Sequence, residues 1–332
     1  MSAETPAPLL EVSDLVVRYP VPRGIVAALA RRPREQVHAV EGVSFAIGEG
    51  EMVALVGESG CGKTTIAQTV IRMVPSVSGS IAFRGRDITA LTQRELRPLR
   101  REMQIIYQDP YESLDPRLRV RDAVSEPLEI HRVPESERRA LVDEALTFAG
   151  LTPPELYLDR FPHELSGGQR QRVAIAAGIV LRPKLLVADE PVSMLDVSVR
   201  AGILRLLDDL RRSGLGILMI THDLSTAAHF ADRICVMYLG RIVEQGPAQE
   251  VVRNPQHPYT RALISVVPKP DPDDRMTPQI LTGEAPNPIH VPPGCRFNPR
   301  CPVMIDACRA TDPELRPAPD TPQGHEAACL LL

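Results

Sequence analysis

EMVALVGESGCGKTTIAQTV, residues 51–70, runs from an apolar stretch through a glycine-rich turn into a helical pattern. Its centre is Gly57-x4-Gly62-Lys63-Thr64, the spacing of a phosphate-binding loop. Glycines let the backbone curl until its N–H groups face phosphate oxygens, and the helix N-terminus behind the turn adds positive potential. The candidate cradle is therefore Gly57, Glu58, Ser59, Gly60, Cys61, Gly62, Lys63, Thr64 and Thr65. Lys63 is placed to bridge β- and γ-phosphates and the Thr64 hydroxyl to hold Mg²⁺. Cys61 reads as a small filler inside the loop, not a reactive thiol.

Outward from this loop, a nucleotide site that performs hydrolysis needs acids. KLLVADEP (184–191) supplies them on a strand of buried type. Asp189 is positioned to bind Mg²⁺, and Glu190, one residue on, to polarise an attacking water. ELSGGQRQRVAIAAGIV (164–180) adds a second amide nest, Ser166-Gly167-Gly168-Gln169, with a serine in the N-cap region of a helix. Strands alternating with amphipathic helices up to residue 246 predict an α/β fold.

Two phosphate-type cradles in one chain point to a family. Leu165–Gln169 spells LSGGQ in full, and the sequence resembles the nucleotide-binding subunits of ATP-binding cassette (ABC) transporters. That resemblance implies a RecA-like core with an antiparallel β subdomain and a helical subdomain at about 109–182. It also implies a head-to-tail dimer in which each LSGGQ closes on ATP held by the other subunit's loop. Gln108, in MQIIYQDP, resembles the glutamine that senses metal and attacking water. Asp196, in SMLD, resembles the aspartate of the loop that follows the acidic strand, although Met194 stands where alanine is commoner. His222, in GILMITHDL, resembles the histidine that contacts the γ-phosphate, and Tyr19, in LVVRYP, the aromatic that stacks on adenine. The segment DPYESLDPRLRV (109–120) is the expected surface for conveying closure to a partner.

Other stretches resemble one subfamily, the ATP-binding subunits of bacterial dipeptide and oligopeptide importers. They are VGESGCGKTT, IIYQDPYESLDPR, PHELSGGQRQRVAIA, DEPVSMLDVSVRA, HPYTRALISVVP (257–268) and GEAPNPIHVPPGCRFNPRCP (283–302). The resemblance implies a second ABC ATPase subunit, identical or different, two transmembrane permease subunits and, indirectly, an extracytoplasmic solute-binding protein. It places the chain peripherally on the cytoplasmic face of the membrane. Related importers of nickel or glycosides use similar subunits, so architecture is better specified than solute. A ribosome-associated ABC ATPase would normally carry two cassettes. A chromosome- or repair-type one would need long heptad segments, which residues 66–164 lack.

Composition agrees with these readings. A net charge of −4 gives no basic footprint for nucleic acid. The start, MSAETPAPLL, has no secretory n- and h-regions, and no apolar run approaches the ~20 residues that span a bilayer. Of 33 prolines, 17 follow residue 246. Each removes a backbone donor and restricts its neighbour, so the expected organisation is a nucleotide-binding domain over 1–246 and a proline-rich extension over 247–332.

That extension carries Cys295, Cys301, Cys308 and Cys329. Disulfides, zinc, an iron–sulfur cluster and unligated thiols are the alternatives. A cytosolic ATPase disfavours disulfides, and the spacing lacks the close C-x2–4-C pairs of structural zinc. Four thiolates suit a [4Fe–4S] cluster, and the tail resembles that of peptide-importer ATPases in which such a cluster is found. With few large apolar residues, the tail is expected to draw on a metal centre for its fold.

Overall fold

The computed structural model describes residues 7–22, 34–109, 113–267, 278–321 and 323–332. Residues 110–112 of the expected contact segment lie outside them, as does the last residue of 257–268. The strands are β1 (Leu10–Pro20), β2 (Gln36–Ile47), β3 (Met52–Val56), β4 (Ser78–Phe83), β5 (Arg86–Asp87), β6 (Met103–Ile106), β7 (Leu185–Asp189), β8 (Gly216–Thr221), β9 (Arg233–Tyr238), β10 (Arg241–Pro247), β11 (Arg316–Pro317) and β12 (Glu326–Ala327). The helices are α1 (Lys63–Val70), α2 (Gln93–Leu99), α3 (Val120–Ile130), α4 (Glu135–Phe148), α5 (Gly167–Ile179), α6 (Val197–Arg212), α7 (Leu224–Phe230), α8 (Ala248–Arg253) and α9 (Pro258–Ser265). Described residues within 1–10, 46–52 and 83–220 form one compact unit, and those within 11–45, 53–82 and 221–332 form another.

The first unit is built on three parallel strands ordered β8-β7-β6. Met103 pairs with Leu185, and Asp189 lies opposite Ile220. Every residue of LLVAD and GILMIT is buried. Unbroken apolar runs of this kind belong to parallel strands covered on both faces. Helices α3, α4 and α5 pack on one another, and α5 also packs on β6. These three helices fall within residues 109–182, where a helical part was expected.

The second unit places β3 parallel to β9, with Val53 opposite Arg233 and Val56 opposite Val236. Strand β10 returns antiparallel to β9, shifting register between Ile242 and Glu244. Position 246–247 lies inside β10, and the proline-rich tail comes back to this strand. Ala327 of β12 pairs with Glu244, and β11 pairs with β12, giving the order β11-β12-β10-β9-β3. A second sheet contains β2-β1-β4 in that order.

The tail, expected to draw on a metal centre for its fold, has protein contacts of its own. Within 247–332 lie the short helices α8 and α9, and after them the regular structure of the described residues is brief, two-residue strands and 3₁₀ turns at Asn298–Arg300 and Asp306–Arg309. The tail docks through aromatic and hydrogen-bonded protein contacts. Phe297, 1% exposed, meets the rings of Tyr238, Tyr259 and His257 at centroid distances of 5.2, 5.5 and 5.6 Å. Such offset and edge contacts are favourable beyond the area they bury. Beneath them lies Glu244, fully buried, whose carboxylate accepts from the backbone N–H groups of Gln256 and His257 and bonds His325 Nε2, all at 2.8 Å. A buried carboxylate is tolerable only when donors replace water.

Candidate active site

In the second unit, the glycine-rich turn leaves β3 at Val56 and enters α1 at Lys63. Gly62 has φ +109°, and a Cβ there would strike the Ala39 carbonyl oxygen. A Cβ on Gly57 would strike the carbonyl oxygen of Met237. Both positions demand glycine, for conformation in one case and for close approach in the other. Lys63 is buried, and its Nζ donates to the carbonyls of Gly57 (2.8 Å) and Glu58 (3.0 Å). Ser59, Gly60 and Thr64 are exposed, and Thr65 is half-buried. Burial pushes the Cys61 thiol up, against the opposing pull of Lys63.

The same unit holds His222 and Tyr19. His222 is exposed, immediately after β8. Its neighbour Asp223 caps α7, with its carboxylate accepting from the N–H groups of Ser225 (3.0 Å) and Thr226 (3.3 Å) and from the Thr226 hydroxyl (2.6 Å). Burial would raise the Asp223 pKa, but these bonds outweigh it and hold it below the usual carboxylate range. An ionised cap thus fixes the turn that presents His222. Tyr19 sits half-buried near the end of β1. Beside it, Arg18 grips Glu41 through Nε (2.6 Å) and Nη2 (2.9 Å), and His38 Nδ1 lies 2.8 Å from the same carboxylate. Sequence reasoning passed over this trio.

The first unit carries the acids. Asp189, 4% exposed, closes β7, and Glu190 follows at φ +46°. A side chain in this left-handed region costs about 1–2 kcal/mol. Bonds that hold the turn include Glu190 N–H to the Ile220 carbonyl (3.0 Å), and the Ser193 N–H (3.2 Å) and hydroxyl (3.1 Å) to the Glu190 carbonyl. Breaking the strand's alternation re-aims the Glu190 carboxylate, and Gln108 Nε2 donates to its Oε2 at 3.3 Å. Two residues singled out from motifs far apart in the chain are thereby brought together.

Ser166 is the N-cap of α5. Its hydroxyl accepts from the Gln169 N–H (3.3 Å), while the Gln169 side-chain oxygen accepts from the Ser166 N–H (3.0 Å). This reciprocal box satisfies two donors that a helix start leaves without partners. A Cβ on Gly168 would lie 2.5 Å from Val199 Cγ1, and one on Gly167 3.8 Å from Leu195 Cδ2. Helix α5 therefore begins hard against the start of α6, whose N-cap is Asp196. Asp196 is exposed and flanked by two exposed apolar side chains, Met194 (61%) and Val197 (80%). An acid framed by bare apolar surface suits a face that another molecule covers.

The four tail cysteines are unbridged. The Cys295 N–H donates to the Cys308 carbonyl at 2.8 Å. Burial pushes the Cys295 thiol up to about 11, with Cys308 and Cys301 adding to the rise, and burial with Cys329 and Cys308 raises Cys301. Cys295 and Cys301 thus feel their neighbouring thiols. Even so, among the described residues no three His, Cys, Asp or Glu side chains converge closely enough to hold a metal ion. The expected [4Fe–4S] site at Cys295, Cys301, Cys308 and Cys329 is not met by the thiols where they stand.

Comparison with known proteins places these observations in a family. Residues 40–193 match the model described as ABC transporter, and residues 243–308 that described as oligopeptide/dipeptide transporter, C-terminal region. A probable peptide ABC transporter ATP-binding protein of Sinorhizobium fredii is 44% identical over 97% of this chain and 89% of its own length. The oligopeptide transport ATP-binding protein OppF of Escherichia coli is 42% identical, over 98% of this chain and 96% of its own. Among solved structures, a component of an ABC transporter complex from Clostridium perfringens aligns with TM-score 0.64 and 31% identity, covering 74% of this chain and 91% of that one. A dimeric ATP-binding cassette in a post-hydrolysis state with ADP and Pi aligns with TM-score 0.62 and 28% identity, covering 72% and 98%.

Proposed function

The chain belongs to the ABC transporter family, and from that premise we propose that it is the ATP-hydrolysing subunit of a peptide importer. The peptide part is supported by the oligopeptide/dipeptide C-terminal region at residues 243–308 and by relatives named for peptide transport that match almost end to end. The hydrolytic part is carried by one observation, the Gln108–Glu190 pair on a left-handed turn.

In this reading the amides of Gly57–Thr65 and the Lys63 ammonium hold the β- and γ-phosphates of ATP, with Tyr19 against the adenine. The Thr64 hydroxyl, the Asp189 carboxylate and the Gln108 amide oxygen are hard donors of the type Mg²⁺ takes, and the ion would neutralise charge on the transferred phosphoryl group. Glu190 polarises the attacking water, Gln108 orients that carboxylate, and His222 contacts the γ-phosphate. Catalysis here is positioning and charge stabilisation. Ser166–Gln169 and Asp196 act on ATP bound by a second cassette, so two ABC ATPase subunits are needed. Met194 and Val197 support that face as the one covered.

The division of labour runs at residue 246, with 1–246 as nucleotide-binding domain and 247–332 as the importer-specific extension. No helix among the described residues is long and apolar enough to cross a membrane. Two permease subunits supply the path, a solute-binding protein delivers the peptide, and this chain works from the cytoplasmic face. Glu190→Gln keeps the cradle and removes the base. In the assembled transporter it should bind MgATP with wild-type affinity, trap the closed dimer and lose at least ~100-fold in turnover. Wild-type turnover would refute Glu190 as the base.

A [4Fe–4S] cluster on the tail is a second reading, favoured by the four cysteines that one segment carries, Cys295, Cys301, Cys308 and Cys329. Iron analysis of anaerobically purified protein decides it. About four irons per chain supports the cluster, and iron-free protein rejects it.

A further inference from the structure

The phosphate loop is gripped from the tail. Arg300, on the 3₁₀ turn before Cys301, donates through Nη1 and Nη2 to the two carboxylate oxygens of Glu58, at 2.8 and 3.1 Å. Nη1 also reaches the Tyr238 hydroxyl at 3.4 Å, and the guanidinium lies 5.9 Å from the centroid of that ring. The Arg300 side chain is only 9% exposed. From α9, Tyr259 receives the Glu58 N–H on its hydroxyl at 3.0 Å. Glu58 is thus held at its amide and its carboxylate by tail residues, while its carbonyl takes the Lys63 ammonium.

Charge gives this grip a consequence. Between Gly57 and Thr65 the only charged side chains are Glu58 and Lys63. Left alone, the loop's side-chain charges cancel, and a carboxylate sits in the very segment that is to receive a polyphosphate. Arg300 restores the excess of one positive charge. Its bidentate fork also ties down the Glu58 carboxylate, which a flexible lysine could not do as well.

Resting on the ATP-binding reading above, we infer that Arg300 is a positioning residue for nucleotide binding: it neutralises and anchors Glu58 so that the loop accepts ATP. The importer-specific tail then sets the ATP affinity of the cassette. Because the guanidinium is spoken for by Glu58, it acts on the nucleotide through the loop.

The test is MgATP binding to the full chain by titration calorimetry at low and moderate salt. Arg300→Met should raise Kd about tenfold at low salt, with a smaller penalty as salt screens the exposed carboxylate. Adding Glu58→Gln to Arg300→Met should return Kd to within about twofold of wild type, which a merely structural role would not do. Arg300→Met binding like wild type, or a double variant as weak as the single, overturns the inference. Should Arg300→Met fail to fold, Glu58→Gln alone decides. It leaves Arg300 uncompensated and should bind MgATP more tightly than wild type at low salt; equal or weaker binding overturns the inference. Wild-type protein that binds no MgATP would instead refute the ATP reading itself, so the two failures are distinguishable.

Discussion

Acidification should loosen the tail-bearing unit through one histidine. His257 is 1% exposed, caps α9 by accepting the Tyr259 N–H on Nδ1 at 3.1 Å, and lies against Phe297. Burial depresses its pKa from 6.5 to about 4; Glu244 pulls it back up and Arg261 pushes it further down. A capping acceptor must keep its lone pair, so the native state holds the neutral ring. Below the ordinary pKa the unfolded chain takes a proton that the native state refuses. Stability is therefore fully present above about pH 6.5 and is lost as pH falls toward 4. Each unit of differential protonation is worth about 1.36 kcal/mol. Between pH 7.5 and 4.5 the loss is about 2.5 kcal/mol, below the roughly 3.4 kcal/mol of the full pKa difference because the window ends half a unit above the native pKa. His257→Asn keeps a capping acceptor and removes the proton site. Urea unfolding of both chains across this range isolates the term, since all other groups titrate in both. The wild type should lose about 2.5 kcal/mol more than the variant on going from pH 7.5 to 4.5. Parallel profiles would refute the argument.

Three further outcomes follow from the geometry. Glu244→Leu strands two backbone N–H groups and His325, and should cost about 3–5 kcal/mol in chemical denaturation. Glu190→Ala and Glu190→Gly both remove the carboxylate, but only glycine accepts φ +46° freely, so the glycine variant should be more stable than the alanine variant by about 1 kcal/mol in the same assay. Ser166→Ala opens the capping box of α5 and should lower stability by about 1 kcal/mol, read as a fall in melting temperature, with ATP turnover of the assembled transporter reduced and MgATP affinity of the single chain retained.

What could be read from the chain alone depended on whether the physics was local. The phosphate loop announces itself because the needs of its backbone are written in adjacent glycines. Gly57 and Gly62 are required where they stand, one for close approach and the other for its φ of +109°. The signature serine is legible for the same reason, since an N-cap and its Gln169 partner lie within one turn of helix. Strands β7 and β8 were readable from their unbroken apolar runs. The left-handed turn at Glu190 had no such mark. A glutamate at φ +46° is held by Ile220 and Ser193, and no propensity rule reserves that conformation for it.

The tail shows the other limit. Counting its prolines and its scarce apolar residues pointed to a metal centre as a source of its fold, and a count does not show which side chains meet. Phe297 completes an aromatic cluster whose other members, Tyr238, His257 and Tyr259, precede it by dozens of positions, and His325 completes the donors around Glu244. Rings of the tail's own His257, Tyr259 and Phe297 thus pack on one another and on Tyr238 of the preceding chain. Glu58 and Arg300 are the sharpest instance, 242 residues apart. Neither has a motif of its own: the glutamate occupies a variable position of the phosphate loop, and the arginine stands in a run noticed for its cysteines. Once paired, they make the loop's charge depend on the tail's seating. Whatever unseats Phe297 or His257 then also bears on Arg300, so acid loosening of this unit should weaken ATP binding before it unfolds the chain.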